Sequence, residues 1–133
     1  MNGNDRVMTP EAGAPKTVFY WLRTGSEWLK LSPAERNAFV DSALRPILRR
    51  YPQVKLRYFD AEAYSAEVSD VLAWEFHTDS AYAAVVECLR ETRFWNHYFE
   101  VIKIIPCVED GFASHYGVAG FKEKAPASGA PEP

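Results

Sequence analysis

Cysteine is scarce in this sequence, because Cys88 and Cys107 are the only two among 133 residues. They form no CxxC motif, and the first residues contain no apolar signal-peptide core, so a disulfide-stabilised secreted scaffold is not expected. We instead expect two buried, reduced thiols in a cytoplasmic protein.

Basic clusters and long apolar runs are also missing. Lys and Arg number 15 against 18 Asp and Glu, which gives a net charge of -3, whereas a nucleic-acid-binding surface concentrates positive charge. The nearest approach is Arg45, Arg49 and Arg50, at the end of a predicted helix, where cations complement the helix dipole. No apolar run approaches the roughly 20 residues of a membrane span. We expect neither nucleic acid nor a membrane as a partner.

Histidine is the third scarce residue type, with His77, His97 and His115 the only three. No two of them have the HxxxH or HxH spacing typical of metal ligands, so no metal site is predicted. P-loop, GxGxxG and nucleophile-elbow motifs are likewise missing. The sequence therefore indicates neither a metal nor another cofactor.

The composition that is present is that of an ordinary globular protein, 47% hydrophobic and 25% charged, with a surplus of aromatic residues at 14%. A chain of this length forms one domain and buries a core without a disulfide or a metal. Both ends are rich in Pro, Gly, Ala and charged residues. We expect a disordered segment at 1–16, a folded domain at 17–116 and a flexible tail at 117–133.

Four segments rich in β-branched and aromatic residues predict strands, at 17–23, 53–60, 67–76 and 99–106. The last strand is expected to end at Pro106, since proline lacks the N–H group that a strand ladder uses. An aromatic segment, 92–98, precedes it and is too short for a full helix, so a turn or a short 3₁₀ helix is predicted there.

Two amphipathic helices separate these strands. The first begins at Ser32-Pro33-Ala34-Glu35, a capping box with proline at the first helical position, and Pro46 predicts a kink or break within it. The second begins after Thr78, a suitable N-cap, and repeats the apolar stripe of the first. The order is βαββαβ, so the predicted fold class is α+β: a ferredoxin-like, antiparallel four-stranded sheet with two helices on one face.

Both faces of the predicted strands are apolar. A sheet with water on one side alternates apolar and polar residues, yet the first strand carries Tyr20 and Leu22 on one side and Phe19 and Trp21 on the other. An apolar sheet face left exposed to water promotes aggregation. We therefore expect a second copy to cover the face away from the helices, in a two-fold, sheet-on-sheet homodimer. The alternative is a monomer that covers this face with its own C-terminal segment, 108–121.

Several segments carry a resemblance to a known family: Glu27-Trp28-Leu29, Leu31-Ser32-Pro33-Ala34-Glu35-Arg36, Arg45-Pro46-Ile47-Leu48, Tyr51-Pro52-Gln53-Val54-Lys55-Leu56-Arg57-Tyr58-Phe59-Asp60, Leu89-Arg90-Glu91-Thr92-Arg93-Phe94-Trp95, Tyr98-Phe99-Glu100-Val101 and Ile105-Pro106. In these segments the chain resembles the darcynin family. The resemblance implies a small bacterial protein without established activity, related to the dimeric α+β barrel group. That group contains cofactor-free monooxygenases, polyketide cyclases, haem-degrading enzymes and ligand-binding modules, so it does not select a reaction.

Charged residues in otherwise apolar strand rows are the first site candidates. Asp70 shares a predicted row with Trp74, and Lys103 shares one with Val101. A charge in a buried row must be paired or have its pKa shifted, and either property is common at functional sites. The alternatives are an inter-strand ion pair and a charge that reaches the edge of the sheet. Arg57 is a weaker candidate of the same kind, because it can face outward.

The second group of candidates is aromatic. His97, in the turn 92–98, could act as a general base near neutral pH or as an axial haem ligand, although a surface histidine is the commoner role. Tyr20 and Tyr58 offer hydroxyl groups, which core tyrosines also carry without a function. We therefore name His97 and Asp70 as candidate catalytic residues. The candidate ligand-binding residues are Tyr20, Arg57, Tyr58, Trp74 and Lys103.

The leading hypothesis is a module that binds a small apolar or aromatic molecule in a cavity between helices and sheet, or transforms it without a cofactor. Cyclisation, isomerisation or oxygenation would be the reaction types. A non-catalytic dimeric interaction or regulatory protein is the alternative, and a haem-binding module is a lesser one. A solvent-connected cavity of several hundred cubic ångströms that holds two of the polar candidates favours the first hypothesis, and a filled core favours the second.

Overall fold

The computed structural model describes residues 14–122. The expected disordered segment and flexible tail fall mostly on residues 1–13 and 123–133, which lie outside the described residues, whereas Lys16 already belongs to the first strand. The elements in chain order are β1 (Lys16–Thr24), α1 (Ser26–Leu29), α2 (Pro33–Phe39), a π-helical segment (Val40–Leu44), α3 (Arg45–Arg50), β2 (Lys55–Asp60), β3 (Asp70–Phe76), α4 (Asp79–Arg90), β4 (Phe99–Val108) and α5 (Gly111–Tyr116).

The four strands form one antiparallel sheet in the order β2-β3-β1-β4. Val18 of β1 pairs with Trp74 of β3, and Leu56 of β2 pairs with the same Trp74 from the other side. Helices α1 to α3, called the first helical layer below, connect β1 to β2, and α4 connects β3 to β4. This order confirms the predicted α+β, ferredoxin-like fold.

Helix α2, within the first helical layer, begins where the sequence predicts. Ser32 Oγ accepts from the backbone N–H of Glu35 at 3.1 Å, and the Glu35 carboxylate accepts from the backbone N–H of Ser32 at 2.8 Å. Pro33 takes the first helical position, where no partner for its nitrogen is needed. The second layer, α4, begins after Thr78, whose side chain makes no capping hydrogen bond.

The irregularity predicted at Pro46 is a widened helical turn. The chain stays helical from Pro33 to Arg50, but Val40–Leu44 is π-helical, and the backbone N–H of Arg45 donates to the carbonyl of Val40, five residues back. Because Pro46 has no N–H and its ring crowds the preceding turn, a widened turn accommodates it without breaking the helix.

Strand β4 differs from the prediction in two ways. It continues through Pro106 to Val108, because β4 is an edge strand and a proline is tolerated there. Its register against β1 also shifts: Trp21 pairs with Lys103, whereas Leu22 pairs with Val101. The shift is a β-bulge that reverses the alternation, so Lys103 does not share a row with Val101 as the sequence suggested.

The core lies between the sheet and the helices, and α4 buries its apolar stripe against it. The core contains the inward rows of β1 and β3 together with residues from α4, from the segment before β4 and from the start of β4: Val18, Tyr20, Leu22, Leu72, Trp74, Phe76, Ala81, Val85, Leu89, Phe94 and Phe99.

The opposite face of the sheet, called the outer face below, has an apolar centre that is only half-buried. It is formed by half-buried side chains that flank one another on neighbouring strands: Phe19, Trp21, Val71, Ile105 and Cys107. The described part of the C-terminal segment leaves Phe112, Tyr116, Val118 and Phe121 exposed, so these side chains are not buried against that face. None of the helices within 14–122 is long and apolar enough to cross a membrane.

Candidate functional site

A cavity of about 420 Å³ lies between the first helical layer and the sheet. Its volume is within the range typical of small-molecule sites, about 300–1,000 Å³. Most of its wall is aliphatic or aromatic, contributed by both layers: Leu22, Trp28, Pro33, Val40, Leu44, Ile47, Leu48, Leu56, Leu72, Trp74, Leu89, Phe94 and Phe99. The polar side chains in the wall are those of Arg36, Asn37 and Tyr58.

Tyr58 connects this cavity to a buried carboxylate. It lies on the inward row of β2, directly opposite Leu72, and its hydroxyl donates to Asp70 Oδ1 at 2.5 Å. Asp70 is only 3% exposed and accepts a second hydrogen bond at Oδ2 from Ser69 Oγ at 2.7 Å. The buried charge is therefore held by two short donors, as its burial requires.

The protonation of Tyr58 follows from this arrangement. Partial burial and the hydrogen bond to Asp70, whose charge lies close by, raise the pKa of the Tyr58 hydroxyl above its ordinary value near 10. The hydroxyl is thus a stable donor to Asp70 at neutral pH, and its oxygen keeps lone pairs that can accept a hydrogen bond. Asp70 does not line the cavity, so a molecule inside would meet Tyr58 first.

Arg36 is the charged group in the described wall. Its Nε donates to the Trp28 carbonyl at 3.2 Å and its Nη2 donates to the Leu29 carbonyl at 3.3 Å. The guanidinium also lies over the Trp28 ring, with the central carbon 5.8 Å from the ring centroid. These contacts fix the guanidinium plane between α1 and α2 at the edge of the cavity.

Trp74 lines the cavity and is 2% exposed. Its Nε1–H is buried and has no hydrogen-bond partner among residues 14–122. A buried donor without an acceptor is uncommon in folded proteins and costs roughly 1–3 kcal/mol.

Tyr20 lies away from the cavity. It is fully buried beneath α4, where its hydroxyl and that of Tyr82 share a 2.6 Å hydrogen bond, and it packs edge-on against Trp95. Burial, reinforced by the bond to Tyr82, raises the pKa of the Tyr20 hydroxyl far above its ordinary value. Tyr20 is placed by the structure in the core and does not contact the cavity.

His97 also lies outside the cavity wall. It is exposed in the turn before β4, and Arg93 Nη1 donates to its Nε2 at 2.5 Å. Since arginine can only donate, Nε2 must carry the lone pair, which places the ring proton on Nδ1 in the neutral ring. The nitrogen that would act as base or metal ligand is therefore already occupied by Arg93.

The two remaining cations face away from the cavity. Lys103 is exposed on the outer face, with its Nζ 5.5 Å from the centroid of the Trp21 ring. Arg57 lies on the outward row of β2, with its guanidinium carbon 5.0 Å from the centroid of the Phe59 ring. Of the seven site candidates, the structure brings Tyr58 and Trp74 to the cavity and Asp70 directly behind Tyr58.

No sequence pattern pointed to Arg36 and Asn37, because polar residues just after a capping box are typical of the exposed face of an amphipathic helix. The available signal was Phe39, which packs against the core three positions after Arg36 on the same helix, since residues three apart share one helix face.

Comparison with known proteins agrees with this fold. Residues 1–123 match the family model described as Darcynin, domain of unknown function. A darcynin homolog of Granulibacter bethesdensis is 39% identical over 112 residues, 84% of this chain and 90% of the relative. A darcynin homolog of Streptomyces avermitilis is 41% identical over 111 residues, 83% of this chain and 92% of the relative.

Among solved structures, a heme-binding protein of Thermus thermophilus superposes with a TM-score of 0.65 at 15% identity, over 79% of this chain and 44% of that chain. The dimeric chlorite dismutase of Nitrobacter winogradskyi superposes with a TM-score of 0.57 at 18% identity, over 78% of this chain and 59% of that chain. The chain thus spans less than two thirds of either structure, and the likeness concerns the fold alone. By its family match and its relatives, the chain belongs to the darcynin family.

Proposed function

We propose that this darcynin-family protein binds a small, largely apolar molecule in the cavity between its first helical layer and the sheet. The observation that carries the proposal is the combination of a 420 Å³ apolar cavity with a hydroxyl, that of Tyr58, held by a buried carboxylate. A cavity of this kind, apolar with a few fixed polar groups, is the usual form of a small-molecule site. A protein that acts only as a scaffold would be expected to fill this space.

One polar group on the sheet side would orient the ligand. The Tyr58 oxygen can accept a hydrogen bond, because its own proton is donated to Asp70. A ligand with a hydroxyl or an amide N–H would match this acceptor.

Cofactor-independent proton transfer is the second candidate function, and the Tyr58–Asp70 bond favours it. A proton removed from a ligand would pass to the Tyr58 oxygen while the Tyr58 proton passes to Asp70 Oδ1, so the negative charge moves from Asp70 to the ligand. The test is exchange of the acidic C–H protons of phenylacetone in heavy water, followed by proton NMR. Faster exchange with the wild type than with Tyr58→Phe supports this chemistry, and equal rates contradict it.

Haem binding is suggested by the fold likeness to the Thermus protein, but the residues here do not fit it. Haem iron takes histidine, cysteine, methionine or tyrosine as its axial ligand. In the described wall the one such residue is Tyr58, whose hydroxyl is bonded to Asp70, and the Nε2 of His97 accepts from Arg93. These contacts argue against haem in this cavity.

The paired state belongs to the same proposal. We infer a homodimer through the outer face, supported by its half-buried aromatic side chains, such as Trp21, and by the dimeric assembly named for the Nitrobacter relative in fold. Ile105→Glu places a charge on this face, whereas Ile104→Glu places it on the opposite face of the same strand, where Ile104 is 45% exposed. Light scattering should give a monomer for the first variant and a dimer for the second. A wild-type monomer contradicts the inference.

A cytoplasmic location is part of the proposal and is supported by Cys88 and Cys107, which are both free thiols and both half-buried.

Binding is tested with the neutral fluorescent probe N-phenylnaphthylamine. Leu48 lines the cavity, and Leu48→Trp would fill part of it. The matched control is Leu29→Trp, at a residue that is 58% exposed and outside the wall. We expect saturable binding to the wild type and the control, and at least about ten-fold weaker binding to Leu48→Trp, which corresponds to roughly 1.4 kcal/mol. Equal affinities for the two variants would place the probe elsewhere and refute the site.

A further inference from the structure

We propose that the ligand of this cavity is an amphipathic organic anion, an apolar molecule with one carboxylate that Arg36 binds. The inference rests on the proposed function, since it names the chemical class of the molecule that the cavity takes. It is carried by the position, free donors and uncompensated charge of Arg36.

Arg36 has hydrogen-bonding capacity left over. A guanidinium has five N–H donors, and two are used, one on Nε toward the Trp28 carbonyl and one on Nη2 toward the Leu29 carbonyl. Both protons of Nη1 and one of Nη2 are left. One proton of each nitrogen lies side by side with the other at the end of the planar guanidinium. That arrangement matches the two oxygens of a carboxylate.

The charge of Arg36 is not neutralised by the surrounding chain. Later in the same helical layer, Arg45 Nε donates to Asp41 Oδ1 at 2.6 Å, which compensates that cation. Within residues 14–122, no carboxylate lies within ion-pair distance of Arg36. Nor does the described cavity wall contain Asp, Glu or Lys. The wall therefore carries one positive charge that a bound anion would offset.

The surroundings strengthen this interaction. Arg36 is half-buried against the ring of Trp28, and the rest of the wall is mostly apolar, so water screens its charge less than at an open surface. The carboxylate would lie at the helical edge of the cavity, while the apolar body would extend toward Leu72 and Trp74 on the sheet. A neutral molecule of the same shape would gain the apolar contacts alone.

The test compares cinnamate with cinnamyl alcohol, which have the same apolar body, as competitors of N-phenylnaphthylamine. We expect the wild type to bind cinnamate on the order of ten-fold more tightly than the alcohol, the range for a hydrogen bond to a charged group. Arg36→Gln should abolish this preference, because it should weaken the binding of cinnamate far more than that of the alcohol. Arg36→Lys should restore part of the preference, because it keeps the charge but not the fork. Arg49→Gln, an exposed cation outside the cavity wall, is the control and should keep the full preference.

NMR of the wild-type protein tests the inference even if the variants fail to fold. The Arg36 Nε–H resonance should shift with cinnamate and not with the alcohol. Equal wild-type affinities for the acid and the alcohol, or a preference that survives Arg36→Gln, would overturn the inference about the anion. The proposed site would still be supported if Leu48→Trp blocked the binding of the alcohol. If Leu48→Trp blocked neither competitor, the proposed function itself would fail.

Discussion

Replacement of Tyr58 by phenylalanine tests the link between the cavity and the buried charge. The change removes one donor from Asp70, which is 3% exposed, and leaves Ser69 as the donor to its other oxygen. Loss of a hydrogen bond to a charged group costs roughly 1.5–3 kcal/mol. We expect the lower end, about 1.5 kcal/mol, because Ser69 still solvates the carboxylate and because Tyr58 is partly exposed, so that water can approach the vacated position.

The assay is urea denaturation followed by circular dichroism, with the midpoint decreasing and the slope unchanged. Tyr64→Phe is the matched control, since Tyr64 is 92% exposed, and its effect should stay within about 0.5 kcal/mol. A double-mutant cycle of Tyr58→Phe with Asp70→Asn should give a coupling energy of about 1 kcal/mol or more. A Tyr58→Phe cost equal to that of the control, or additive double-mutant energies, would refute the reasoning.

Three further predictions follow from the fold. Burial raises the pKa of the Tyr20 hydroxyl in the folded state, so the stability that this hydroxyl contributes is complete below pH 10 and is lost as the pH rises above 10. The loss is at most about 1.4 kcal/mol per pH unit. In urea titrations, Tyr20→Phe should therefore reduce the slope of stability against pH in the alkaline range. Gly25→Ala should cost about 1–3 kcal/mol by thermal unfolding, because its Cβ would lie 3.0 Å from the His97 carbonyl and 3.1 Å from the Tyr98 carbonyl. Ser32→Ala should cost about 1 kcal/mol through loss of the helix cap.

Each of these has a clear contrary result. An alkaline slope that Tyr20→Phe leaves unchanged would mean that other groups govern high-pH unfolding. A Gly25→Ala protein as stable as the wild type would mean that the turn before β4 can move away from α1. A neutral Ser32→Ala would mean that water replaces the cap at no cost.

The sequence was sufficient for the fold because its signals are local. The capping box at Ser32, the strand composition of β1 and β3 and the apolar stripe of α4 each depend on neighbours within a few residues. Pro46 predicted an irregularity, but its form, a π-helical turn, depends on how the whole helix packs. Pro106 did not end β4, since its effect depends on whether the strand is an edge strand.

The site was less predictable because it depends on long-range register. A single bulge between Trp21 and Leu22 turns Val101 toward the helices while Lys103 stays on the outer face, and no sequence pattern predicts this bulge. Tyr20 and Tyr58 have the same alternating pattern, yet one lies under α4 and the other at the cavity. Asp70 was recognisable as a buried charge in an apolar row, but its donor, Tyr58, became evident only from the pairing of β2 with β3.

The most direct measurement of the central claim is NMR of methyl-labelled protein with bound cinnamyl alcohol. Intermolecular nuclear Overhauser effects report which methyl groups lie next to the ligand. The proposal predicts contacts to Val40, Leu48 and Leu72 in the cavity wall. Contacts confined to Val71 and Ile105 on the outer face would contradict it.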